Sequence, residues 1–409
     1  TMKEYFIAAL DIGASKITCI IGAASELNNV DVLGCGVVHH DFIKHGAVMD
    51  LKGLSDAVSK AVYLAEEESE KKVHSVYFNI SGTHMEAMHT NGHIIIADKD
   101  NEITRYDVEK VIANAKSINI PYDREIVHIV HRGYAVDGEK GIVDPAGMFG
   151  LHLEVDLYLI TGKMSIIENL KKAVRQAGIG VAGAVVSSLA TSQALISEHE
   201  RHIGVVLVDI GADITEISIY TEGSLNYIKT LPIGGDDITK NISIKLRLPL
   251  GAAERLKIES GTVEEIANKN EEIIAEYDSN SRVIRREKLQ QIMRDSYREL
   301  FNQVKTDLEN SGIFRDASSG IIFTGQPAIT EGAMEQAEVI QGCPVKVGHI
   351  RGLGSAAQPM PSHVFSTAIG LLKHGIESHS KKTKFFRMGT KNMVLALGGR
   401  LRQLYREYF

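Results

Sequence analysis

Two apolar, β-branched runs, at 5–10 (YFIAAL) and 17–21 (ITCII), bracket Asp11-Ile12-Gly13 and predict a strand, a tight turn and a second strand. Apolar positions then fall at helical spacing through Leu54, Val58, Ala61, Val62 and Ala65, which predicts a helix over 53–67. Strand-like runs recur at 75–80 and 93–97, followed by a helix at 106–117 with Thr104 or Asp107 as its cap. Two further strands, over 125–136 and 153–161, precede a helix over 165–177 that Gly178 ends. The opening pattern then returns. Residues 203–208 (IGVVLV) read as a buried strand, Asp209-Ile210-Gly211 as a turn, and 215–220 as a second strand. Residues 253–310 are helix-rich and charged, 320–325 form a strand ending at Gly325, and a helix is expected from about Thr330. Residues 376–391 are polar, basic and glycine-containing, the composition of a flexible linker.

A chain of 409 residues with 44% hydrophobic and 24% charged positions has room for two to four packed domains. Its three cysteines, Cys19, Cys35 and Cys343, are odd in number and far apart, so neither a disulfide framework nor a zinc site is expected. A reducing, cytoplasmic setting fits this usage. The aliphatic stretches fall short of the ~20 residues of a membrane span, and the start of the chain has no secretory pattern. The net charge of −7 is unevenly spread: eight basic and two acidic residues lie between 376 and 409, leaving an acidic body and a basic tail. Such a body suggests no nucleic-acid partner, and such a tail suggests an anionic one. On a helical wheel, Met393, Val394, Leu397, Leu401, Leu404, Tyr405 and Tyr408 fill one arc of about 120°, opposite Arg402 and Arg406, with Arg400 near the boundary. That pattern suits a helix lying in the plane of an anionic bilayer.

The repeated turn has a chemical use. Gly lets backbone N–H groups approach an anion, and an Asp at a strand end can orient water around Mg²⁺. Two such turns facing each other would grip a triphosphate from both sides, with Ser15 adding a hydroxyl and Lys16 a positive charge. No GxxxxGK[ST] motif supports a P-loop, and no GxGxxG follows a strand.

The order Asp11-Ile-Gly13, Asp209-Ile-Gly211, Gly234-Gly235, Glu254-x-x-Lys257, Thr324-Gly325 resembles the ATPase superfamily of actin, heat-shock chaperones and sugar kinases. Within it, residues 141–148 (GIVDPAGM) with Leu153-Glu154, 231–239 (LPIGGDDIT) and 253–261 (AERLKIESG) resemble the FtsA family of bacterial cell division. The resemblance implies an actin-like, two-lobed, duplicated ribonuclease-H-like α/β fold with an inserted α+β subdomain and a C-terminal amphipathic helix. The implied segments are 1–82, 163–195 (first lobe), 83–162 (insert), 196–225 and 311–375 (second lobe), and 226–310 (helix-rich subdomain). A linker (376–391) and a membrane-targeting helix (392–409) would follow.

The resemblance further implies ATP and Mg as cofactors. Asp11, Gly13, Ala14, Ser15 and Lys16 would form one phosphate loop, and Asp209, Gly211, Ala212, Asp213 and Thr215 the other. Glu254 and Lys257 would edge the adenosine, with Gly325 beneath it; Gly234, Gly235 and Gln326 would also bind the nucleotide, and Asp11 and Asp209 would hold Mg through water. Implied partners are the FtsZ C-terminal tail on Arg285, Arg286, Arg294 and Arg298, further copies of the chain, anionic inner-membrane lipids and later division proteins.

Departures from the family pattern qualify the activity. The usual DIGGGT reads Asp209-Ile-Gly-Ala212-Asp213-Ile214, which places a carboxylate near the phosphates. Pro327 removes a backbone donor from the usual TGGxA loop, and Ser187-Ser188 replaces the usual Glu-Pro, losing a general base. ATP binding with weak or absent hydrolysis is the expectation. The rivals are a small-molecule kinase of the same superfold and an actin-like scaffold of a pilus or secretion system.

Overall fold

The computed structural model describes residues 6–24, 29–97, 100–268, 270–277, 280–354 and 360–380. Two five-stranded sheets share one topology. The first runs Val30–His39, Lys16–Ala24, Phe6–Ile12, Ser75–Ile80, Gly180–Val186; the second runs Ser224–Leu231, Thr215–Thr221, Val205–Ile210, Ile321–Thr324, Val345–Val347. In each, three antiparallel strands are extended by two parallel ones. The repeat read from the sequence is therefore a repeat of whole lobes.

Burial on both faces explains the nearly continuous apolar strands. Ala8, Leu10 and Ile12 face one core, with the helices Leu51–Ser69 and Met164–Gln176. Their neighbours Ile7 and Ala9 face a second core, which also takes Val205 and Leu207 from the other lobe. Val206, Val208 and Ile210 turn outward to a third core, under the helices Gly235–Leu246, Leu250–Ser260, Arg286–Asn310 and Ala333–Gln341.

Two helices run through the core shared by the lobes, Ser187–Leu195 and the helix over 362–380. Ser187–Leu195 is buried nearly all round, so it carries small residues in place of an amphipathic stripe. The helices cross closely: a side chain at Gly370 would put its Cβ 1.8 Å from the carbonyl oxygen of Ala190.

Between the two halves of the first lobe lies a subdomain with its own core. Its antiparallel sheet runs Glu86–Ile95, His152–Lys163, Arg124–Val136, Glu139–Ile142, and Val108, Val111 and Ala115 of the helix Arg105–Lys116 pack upon it. Thr104 and Asp107 form a reciprocal capping box at the start of that helix. Buried Arg124 roots the subdomain, donating to the carbonyl oxygens of His84 (2.8 Å) and Thr161 (3.1 Å). The Tyr158 hydroxyl accepts the N–H of Ile228 at 3.0 Å, joining it to the second lobe.

The structure corrects several sequence expectations. The strand expected at 93–97 is the end of Glu86–Ile95, and 253–310 contains a two-stranded ribbon, Glu272–Tyr277 with Asn280–Arg285. The helix expected from Thr330 starts at Ala333, after the tight 3-10 turn Gln326–Ile329. Residues 376–380 are helical, so no linker begins at 376; Ile376 packs against the shared core and a Cβ at Gly375 would press on Ile7 and Tyr77. Residues 381–409, with the tail calls at Leu397, Arg400, Leu401, Arg402, Leu404, Tyr405, Arg406 and Tyr408, lie outside the described residues. Among the described residues no helix is long and apolar enough to cross a membrane.

The helix crossing yields a stability prediction. Gly370→Val forces the two helices apart and should cost about 2 kcal/mol or more, in the range of overpacked cores. A clear fall in the urea midpoint is expected, and an unchanged midpoint would show that the crossing tolerates a side chain.

Candidate functional site

The first strand of each lobe ends in the same turn. The N–H of Gly13 donates to the Lys16 carbonyl at 3.0 Å, and that of Gly211 to the Ile214 carbonyl at 2.9 Å. Both turns line one cleft of 1010 Å³ between the lobes. Asp11, Gly13, Ala14, Ser15 and Lys16 border it on one side, and Asp209, Gly211, Ala212 and Asp213 on the other. Gly235, Glu254, Lys257, Gly325 and Gln326 complete the wall on the second lobe.

The cleft floor is acidic. Asn79 Nδ2 donates to Asp11 Oδ1 (2.8 Å) and to Ser187 Oγ (3.1 Å), while Asn79 Oδ1 accepts the Ile12 N–H (2.7 Å). Asp209 is hydrogen-bonded by the Thr191 and Thr367 hydroxyls, which lie 2.8 Å apart. Glu216 sits directly across the hairpin from Asp209. Burial pushes the Asp11 carboxyl up to about 7, with nearby Lys16 pulling it down and Asp209 adding to the rise. Burial likewise lifts Asp209 to about 6 against the pull of Lys16. Glu216 is raised well above the carboxylate range by burial, then by Asp209 and Asp11. Burial lowers Lys16, and the two aspartates oppose that. Three carboxyl groups thus share the floor with one ammonium, and burial holds them towards their neutral forms.

On the far wall, Lys257 Nζ reaches Glu254 (2.7 Å), Thr239 Oγ1 (2.7 Å) and the Gly235 carbonyl (3.0 Å), and the Thr239 hydroxyl donates to Glu254. This network fixes the helix Leu250–Ser260 to the start of Gly235–Leu246. Gly325 has a φ of 92°, and a Cβ there would lie 2.0 Å from the Ile210 carbonyl oxygen, so the loop presses on the end of the central strand. Pro327 falls in the first turn of the 3-10 helix, where a missing N–H breaks no helical bond, and its carbonyl accepts the Tyr297 hydroxyl at 3.0 Å.

Some expected residues lie elsewhere. Thr215 is fully buried and its hydroxyl donates to the Ile233 carbonyl at 2.8 Å; Gly234 caps the helix Gly235–Leu246. Neither lines the cleft, and both instead hold the second turn from behind. None of the four arginines lines the cleft; Arg285 precedes the helix Arg286–Asn310 and the other three lie on it. Arg285 pairs in register with Glu272, Arg286 binds Glu271 (2.9 Å), Arg298 lies 3.6 Å from Asp295, and the Arg294 carbonyl accepts from Gln336. Ser296, between the last two, turns inward and accepts from Asn241 at 2.9 Å. Sequence reasoning missed Asn79, Thr191, Glu216 and Thr367. The signal for Glu216 was strand alternation opposite Asp209; the others needed tertiary contacts.

Comparisons with known proteins agree with this architecture. Residues 82–161 match a family model described as the SHS2 domain inserted in FtsA, and residues 206–370 match one described as cell division protein FtsA. Relatives named cell division protein FtsA include one from Pseudomonas aeruginosa, 31% identical over 91% of this chain and 90% of that protein. One from Neisseria meningitidis is 32% identical (90% and 90%), and one from Escherichia coli is 30% identical (91% and 91%). Among solved structures, a chain of a PilM-PilN type IV pilus biogenesis complex superposes with a TM-score of 0.64 at 15% identity, covering 90% of this chain and 98% of that one. MreB5 of Spiroplasma citri bound to ADP gives 0.56 at 12% identity, covering 93% and 98%. These two share the actin-like fold.

The raised carboxyls make a pH prediction. Asp11 holds its proton more tightly folded, at about 7, than at the ordinary 3.8, so its ionisation opposes folding. Its contribution is neutral below pH 3.8 and becomes unfavourable as pH rises towards 7; Asp209 acts in the same direction. Asp11→Asn should therefore gain on the wild type in ligand-free urea unfolding as pH rises from 5 to 8, by on the order of a few kcal/mol. Parallel stability curves for the two proteins across that range would contradict the assignment.

Proposed function

The chain belongs to the FtsA family of cell division proteins, and from that premise we propose that it is an actin-like adaptor of the division septum. In this reading it binds ATP and Mg between its lobes, polymerises, and anchors FtsZ filaments to the cytoplasmic face of the inner membrane. The observation that carries the nucleotide part is the pair of matched Asp-Ile-Gly turns bordering one cleft. MreB5, whose fold is shared, was solved with ADP and with AMPPNP.

The cleft residues fit a magnesium nucleotide. Among the described residues no three His, Cys, Asp or Glu side chains gather to hold a metal alone. Asp11 and Asp209 would instead hold Mg through water, as suits an ion that keeps much of its hydration. The Gly13 and Gly211 turns would receive the phosphates, with Lys16 adding charge, and Glu254 and Lys257 would border the nucleoside. A bound magnesium nucleotide supplies a divalent cation against the acidic floor and a polyanion in contact with both lobes.

Turnover is expected to be weak or absent. Ser187, at the position where a general base is usual, accepts from Asn79 and donates towards the Ile80 carbonyl at 3.4 Å, so it is committed to holding the floor. The inserted subdomain is assigned to contacts with other copies and later division proteins. Arg285, Arg286, Arg294 and Arg298 would steer the acidic FtsZ tail, with electrostatics acting on on-rate and orientation. The tail would bind anionic lipid through its apolar arc and arginines. One such helix binds reversibly, and many aligned in a polymer bind by avidity.

Two measurements test the reading. Isothermal titration with ATP-Mg²⁺ should show binding at or below millimolar concentration, and its absence would remove the nucleotide. Full-length protein should pellet with anionic liposomes, more so with ATP, whereas a truncation ending at Lys382 should stay in the supernatant. Equal recovery of the two forms would eliminate the tail as the anchor.

A further inference from the structure

The second turn carries an acid that the first lacks. Asp213 is only 8% exposed, and its carboxylate Oδ2 accepts the backbone N–H of His45, a residue of the opposite lobe. His45 Nδ1 lies 3.2 Å from the Asp213 carbonyl oxygen and 3.7 Å from Oδ2, so the imidazole closes over the same contact.

Both partners are held rigidly. His45 and Gly46 form the two-residue turn between Ile43–Lys44 and Ala47–Val48, with φ of 48° and 86°, the left-handed pair a type I′ hairpin turn requires. The Thr83 N–H donates to the His45 carbonyl at 3.3 Å, and a Cβ at Gly46 would lie 2.1 Å from the Ser81 carbonyl oxygen. On the other side, the N–H groups of Gly235 (3.0 Å) and Asp236 (2.7 Å) donate to the Gly211 and Ala212 carbonyls and fix the turn that bears Asp213. The contact therefore joins two stiff walls of the cleft.

A terminal phosphate held between the turns would draw the lobes together by accepting N–H groups from both. Asp213 already places an anion on one wall that accepts an N–H from the other. We propose that Asp213 is a tethered stand-in for a terminal phosphate: it latches the lobes without nucleotide, and a triphosphate must displace or be repelled by it where a diphosphate need not. The selectivity half of this inference rests on the nucleotide reading of the cleft; the latch does not.

The full-length protein and its Asp213→Asn and Asp213→Gly variants are titrated with ATP-Mg²⁺ and ADP-Mg²⁺, and amide hydrogen exchange is followed at His45 without ligand. Asn keeps an acceptor and removes the charge; Gly removes both. The expected result is a gain in ATP affinity of at least tenfold in both variants, with ADP affinity changed less than threefold. At least tenfold faster exchange at His45 is expected in the Gly variant. Equal changes for the two nucleotides overturn the selectivity, and unchanged exchange overturns the latch. If neither nucleotide binds any form, the nucleotide reading and the selectivity fall together, while exchange at His45 still decides the latch. Should the Gly variant fold poorly, Asn decides the selectivity, and Asp213→Ala, which removes the acceptor without freeing the backbone, decides the latch through exchange at His45.

Discussion

Removing a carboxylate from water costs several kcal/mol unless a partner replaces the lost hydration, and the cleft floor bears that cost at Asp11, Asp209 and Glu216, with the Lys16 ammonium opposing it at the two aspartates. The surroundings are arranged around this strain. Asn79 serves Asp11, the Thr191 and Thr367 hydroxyls serve Asp209, and each server is itself held by buried backbone or a neighbouring hydroxyl. Hydrogen bonds of this kind offset part of the desolvation, and the upward shift of all three carboxyls is what remains. A cation held there would neutralise groups that belong to both lobes.

The floor also explains why the lobes meet as they do. Asp11 and Asp209 lie at the ends of the central strands of the two sheets, and Ser187, which accepts from the Asp11 partner Asn79, together with the Asp209 partners Thr191 and Thr367, lies on the helices that cross at Gly370. One pair of helices therefore supplies both the shared apolar core and the polar contacts of the site. A change in the charge state of the floor therefore acts where the two lobes meet.

Local periodicity made the lobe strands, the Asp-Ile-Gly turns and the Thr104 cap legible from sequence, because each is specified by residues close in the chain. The capping box needed only Thr104 and Asp107, three positions apart. Asn79 could not be found in this way: it lies 68 positions from Asp11, and only the parallel pairing of the first and fourth strands brings them together. Ser187–Leu195 lacks an apolar stripe because it is buried nearly all round, so its sequence hides its role. The ribbon over 272–285 was lost inside a charged stretch, since its outward Ile274–Val283 pair is a single apolar contact among polar neighbours. Polarity at 377–380 reads as linker, whereas the packing of Ile376 on the core keeps these residues helical.

The departures from the family pattern gain a common meaning in three dimensions. Pro327 sits where its missing N–H breaks no helical bond, Ser187 is tied into the Asn79 network, and Asp213 spans the cleft to His45. Each replaces a feature suited to turnover with one that fixes a geometry. A hydrolase must open, release product and re-form its base on every cycle, whereas an adaptor needs one closed shape that persists long enough to assemble. Substitutions that sacrifice a base or a permissive glycine and add a rigid contact are costly to the first and useful to the second. On that argument the proposed scaffold role follows from where the altered side chains make their bonds, independently of whether any single one abolishes catalysis.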